Sequence, residues 1–98
     1  MFLLSLTPKG TPDQLDPHRD AHLAWAAQGF KDEILLAGGR LVPPTGGLMF
    51  AKNDRDAVDA FVAAEPFCQQ GLAEIVVTEL MVMTVAPGLE ALRTGQEG

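Results

Sequence analysis

Glu74-Ile75-Val76-Val77-Thr78-Glu79-Leu80-Met81-Val82-Met83-Thr84-Val85 is the stretch on which the reading of the fold turns. It contains neither glycine nor proline and is rich in β-branched residues, which predicts a strand over 74–85. Ile75, Val77, Met81 and Met83 fall on one side of that strand; Val76, Leu80 and Val82 fall on the other. Both sides are apolar, whereas a strand with one wet face alternates more cleanly. The strand is therefore expected to be covered twice, by helices on one face and by a second subunit on the other.

Working outward from it, Phe67 to Leu72 reads as a short turn or a single helical turn. Pro66 disfavours helical geometry at Glu65 and so stops a helix. That helix can be capped by Asn53 or Asp54 and runs to about Ala64, with Val58, Phe61 and Val62 toward the core. Leu48-Met49-Phe50-Ala51-Lys52 is a strand, preceded by the turn Pro43-Pro44-Thr45-Gly46-Gly47. The short run Ile34-Leu35-Leu36-Ala37 ends at Gly38-Gly39 and can resume at Arg40-Leu41-Val42. Asp16 is the expected cap of a first helix, with Pro17 at its first position. The helix is expected to reach about Lys31, with a core stripe at Leu23, Ala26, Ala27 and Phe30. Residues 8–15 read as a loop, and residues 1–7 as a buried strand with Phe2, Leu4 and Leu6 on one side.

The order is βαββαβ. It predicts an α+β, ferredoxin-like fold, an antiparallel sheet with two helices on one face. One domain over 1–86 is expected, then a loose tail over 87–98 with a helical turn around Leu89 to Leu92.

The 98 residues suffice for a single core. Seven Lys and Arg against thirteen Asp and Glu give a net charge of −6, which argues against nucleic-acid binding. No apolar run is long enough to span a membrane, and the N-terminus lacks the basic region of a signal peptide. Cys68 is the only cysteine, so no internal disulfide can form. A cytoplasmic location is expected.

Several short motifs occur in a telling order. Arg19-Asp20-Ala21-His22-Leu23-Ala24-Trp25 resembles the R-x-x-H-L segment of the YciI-like (YCII-related) proteins. Leu36-Ala37-Gly38 resembles their apolar strand ending in A-G-P, with Gly39 where proline is usual. Ala57 to Phe61, then Glu65-Pro66-Phe67 and Gly71, resembles their D-P-[FY]-x-x-x-G segment, with Glu in place of Asp. The resemblance implies a homodimer closed sheet against sheet into a dimeric α/β barrel. It also implies a catalytic pair, His22 with Glu65, in a cleft that takes a small-molecule ligand. The wider superfamily includes muconolactone isomerases and a dehydrochlorinase of hydroxylated chloroaromatics. Proton transfer on a small organic acid, lactone or ring compound is the implied chemistry, and a non-catalytic binding module the alternative.

His22 suits acid–base work near neutral pH; the plainer reading is a half-buried helix histidine. Glu65, at the end of the second helix, would face the negative end of its dipole and so need a partner such as His22 or Arg19. Arg19 could grip a substrate oxygen or pair with Asp16 or Asp20. Trp25, Gly38 and Phe67 complete the expected substrate contacts. His18 and His22 have the i,i+4 spacing of helical metal sites, but no third ligand accompanies them, so no metal is expected. The glycine pairs do not have the spacing of a phosphate-binding loop, and no cofactor is expected. Cys68 reads as a small buried hydrophobe rather than a nucleophile.

Overall fold

Strand β1 (Phe2–Pro8) is central, pairing antiparallel with β3 (Gly47–Ala51) on one side and β4 (Ala73–Glu79) on the other. β2 (Leu35–Arg40) completes the sheet beside β3, giving the antiparallel order β2-β3-β1-β4 of a ferredoxin-like fold. The computed structural model describes residues 1–52 and 54–94. Phe2, Leu4, Leu35, Met49 and Ala51 turn to one face of the sheet and are buried there with Val58. Trp25 and Ala26 from one helix and Phe61 and Val62 from another close over the same face.

The strand expected over 74–85 stops at Glu79. Among the described residues its partner strand is β1, whose register ends at Phe2 opposite Glu79. Two further bonds finish the ladder: the Leu80 N–H donates to the Met1 carbonyl at 2.7 Å, and the Met1 amino group donates to the Leu80 carbonyl at 2.9 Å. Sequence propensity continues to Val85, but β1 does not extend beside it; Val82 is instead bonded to Thr94. Conversely, β2 passes through Gly38 and Gly39 rather than ending there, because both pair with β3, opposite Met49 and Leu48.

Residues 8–15 are not wholly loop. Helix α1 (Pro12–Leu15) opens on a reciprocal cap: the Gln14 N–H donates to Thr11 Oγ1, and the Thr11 N–H donates to Gln14 Oε1. Pro12 sits at the first helical position, where its missing N–H costs nothing. A 3₁₀ turn (Asp16–His18) leads into α2 (Arg19–Lys31). The expected cap, Asp16, instead accepts from the Arg19 guanidinium at 3.1 and 3.3 Å.

α2 ends with Glu33 in the left-handed region, φ 61°. The Glu33 N–H reaches the Phe30 carbonyl and the Ile34 N–H the Gly29 carbonyl, a Schellman closure. Helix α3 (Arg55–Ala63) is capped by Asp54, whose carboxylate accepts from the Ala57 N–H at 2.8 Å. The alternative cap, Asn53, lies outside the described residues.

The C-terminal segment carries a 3₁₀ turn (Glu90–Leu92). It is tied to the body as far as Thr94. The Thr94 N–H donates to the Val82 carbonyl, the Val82 N–H donates to Thr94 Oγ1, and Lys52 Nζ donates to the Ala91 carbonyl. The remainder of the expected tail, 95–98, lies outside the described residues.

Candidate active site

Glu65 does not sit against the negative end of α3. The chain turns extended there, φ −64° and ψ 125°, as a residue before proline prefers. Glu65 thereby becomes the N-cap of a further short helix, α4 (Pro66–Gln69), and its Oε2 accepts from the Cys68 N–H at 2.7 Å. Gly71, φ 71°, ends α4 and turns the chain toward β4.

This placement sends the other carboxylate oxygen to α2. Glu65 Oε1 lies 2.7 Å from His22 Nδ1, and the glutamate side chain is wholly buried. Burial pushes the Glu65 carboxyl up. Hydrogen bonds from His22 and from the Cys68 and Phe67 N–H groups outweigh it and hold the carboxyl below its ordinary value. A carboxylate can only accept, so Nδ1 donates and a neutral His22 ring keeps its lone pair on Nε2. The Cys68 thiol, pushed up to about 12 by burial and by the adjacent Glu65, remains protonated at neutral pH.

Two aromatic rings stack on the imidazole. Phe67 stacks on it at 4.7 Å between centroids, and Trp25 at 5.6 Å. Trp25 is itself fastened: it stacks on Phe61 at 4.1 Å, and its Nε1 donates to the Phe61 carbonyl at 2.8 Å.

His22 borders an open cavity of about 630 Å³, the size of a small-molecule site. Its walls are mostly apolar, including Leu6, Leu15, Met49 and Phe67. Of the residues expected from sequence, His22, Arg19, Gly38 and Phe67 line the cavity. Glu65 and Trp25 do not; they stand behind His22 and hold it. Arg19 is engaged by Asp16 at the rim. Leu23 and Phe30, expected in the core, are 58% and 46% exposed and line the cavity instead. Ala27, also expected there, is exposed. Sequence reading missed Arg40, which lines the cavity from the end of β2. The one signal for it was an arginine directly after the Gly38-Gly39 pair. Among the described residues, no three His, Cys, Asp or Glu side chains gather where they could hold a metal ion.

A family model for the YCII-related domain matches residues 1–81. The chain belongs to the YCII-related family. Among curated proteins none matches it. Among solved structures, this YCII-related chain is similar to the 5-chloro-2-hydroxyhydroquinone dehydrochlorinase of Burkholderia phenoliruptrix AC1100 in complex with 2,5-dihydroxybenzoquinone. The TM-score is 0.59 at 24% identity, over 85% of this chain and 96% of that one, which establishes the shared fold. No helix among the described residues of the YCII-related chain is long and apolar enough to cross a membrane.

Proposed function

We propose that the protein is a proton-transfer enzyme acting on a small organic acid, lactone or ring compound, with His22 as the general base. The observation that carries this is the 2.7 Å bond between His22 Nδ1 and the wholly buried Glu65, at the wall of a ligand-sized cavity. Nε2 would take a proton from a carbon acidified by a neighbouring carbonyl. The released electron pair forms a double bond. In an elimination a leaving group departs from the next carbon; in an isomerisation His22 returns the proton elsewhere on the substrate. Glu65 stays ionised and stabilises the imidazolium while orienting the ring. The structurally similar protein is named as a dehydrochlorinase, which supports the elimination branch.

A homodimer belongs to the same proposal. Val76 and Leu80, expected on one side of the strand, are 54% and 46% exposed, an apolar surface that a second copy would cover.

The test is chloride release from 5-chloro-2-hydroxyhydroquinone and double-bond migration in unsaturated lactones. His22→Gln should slow turnover at least about 100-fold with ligand binding retained. A wild-type protein that binds such compounds and turns over none of them would make it a binding module instead.

A further inference from the structure

The Arg40 side chain has no hydrogen-bond or ion-pair partner among the described residues, yet it lines the cavity that His22 borders. Arg19, the other arginine on that cavity, already gives its Nε and Nη2 to Asp16. The chain carries thirteen acidic residues, and none among the described residues lines the cavity. In a molecule of net charge −6 the cavity is thus a local exception, with two arginines and a histidine on an otherwise apolar wall. An unpaired guanidinium at the edge of an apolar pocket offers a planar fork of donors that matches a carboxylate or enolate.

We propose that Arg40 is the anion-recognising residue of the site, and that the ligand is a ring-sized organic anion. Its charged oxygens dock on Arg40, and its ring lies along the apolar wall toward His22. This rests on the cavity being the ligand site, as in the function proposed above, but not on turnover. It moves the anion-binding role from Arg19, whose charge Asp16 offsets, to the arginine that nothing offsets. It also narrows the ligand class. A neutral lactone would leave Arg40 unused, whereas an aromatic or unsaturated acid would occupy both ends of the cavity.

The experiment is a binding titration of the intact protein by calorimetry and ¹H–¹⁵N NMR. The probes are benzoate and its neutral counterpart benzamide. The wild-type protein should bind benzoate about tenfold or more tightly than benzamide, with a preference that weakens as salt rises. Arg40→Gln should erase the preference, Arg40→Lys should keep part of it, and Arg19→Gln should leave most of it. Arg40 is exposed and unpaired, so these variants should melt with the wild type. Equal affinity for the two probes, or no saturable binding of either, would overturn the proposal. So would a preference that survives Arg40→Gln or disappears only in Arg19→Gln. Charge-selective binding through Arg40 without His22-dependent turnover would leave this inference standing and remove the enzymatic one. Turnover without charge selectivity would do the reverse.

Discussion

Helices α2 and α3 lie on the same face of the same sheet and use it in different ways. α3 sends Val58 into the core, wholly buried among Phe2, Leu4 and Ala51. α2 buries only Gly29. A Cβ on Gly29 would press on the Phe61 ring and on Leu35, so the C-terminal part of α2 is pinned tightly over β2 and α3. Elsewhere along it, Leu23 and Phe30 stay open and line a cavity together with His22 and Arg19. One helix fills the sheet and the other roofs a space. The lesson is that the candidate site lies where the core is left unfinished.

The largest effects should separate the two helices. Val58→Asp buries a charge with no partner and should cost about 4 kcal/mol or more, enough to unfold a domain of this size. Leu23→Asp places the same charge on the cavity wall and should cost within about 1 kcal/mol. It should instead abolish binding of anionic ligands. Urea denaturation followed by circular dichroism measures both. Equal losses would mean that the α2 stripe is core after all, as its periodicity alone suggests.

The next effect concerns the link between the two regions. Glu65 follows α3 in the chain and meets α2 through His22. Its folded carboxyl lies below the ordinary value of 4.5. Ionised Glu65 therefore contributes stability that is fully present above about pH 5 and is lost as pH falls through the folded value. The difference in unfolding free energy between wild type and Glu65→Gln should be constant near neutrality and shrink steadily in acid. A difference independent of pH would show that the charge adds nothing to the fold. His22→Ala, which strips the buried carboxylate of its partner, should cost about 3 kcal/mol at neutral pH.

These contrasts also show what the sequence could and could not say. The βαββαβ order was legible because Pro66, Gly46-Gly47 and the apolar runs punctuate it plainly. The length of β4 was not, since it is set by where β1 begins rather than by the propensity of Leu80 to Val85. Helical periodicity drew the stripe of α2 off its inward side: Trp25, Ala26 and Gly29 pack inward, Leu23 and Phe30 line a void, and Ala27 is exposed. The Glu65-Pro66 pair held a signal that the helix-end argument overlooked: an acceptor immediately before an N1 proline is an N-cap pattern. Arg40 entered the sequence reading only as the point where a strand could resume. The absence of an ion-pair partner among the described residues, which is a property of the folded surface, sets it apart.

The smallest expected effect tests the pinned end of α2. Two helices in this chain close with a left-handed residue, α4 with Gly71 and α2 with Glu33, at φ 71° and 61°. Glycine reaches that region freely, whereas a residue with a Cβ carries a penalty of about 1–2 kcal/mol. Glu33 is exposed, so its side chain has little packing to set against that cost. Glu33→Gly should relieve the strain while adding entropy to the unfolded chain, for a net gain of about 0.5–1 kcal/mol. In a domain of this size that raises the melting temperature by about 2–8 °C. Affinity for ligands in the cavity should not change, because Glu33 does not line it and lies about three helical turns from His22. A rise in stability accompanied by altered binding would mean that the two ends of α2 are coupled, and that the helix moves as one body when the cavity fills. A stability gain with unchanged affinity would leave the division intact: an anchored end that holds the fold and an open end that meets the ligand.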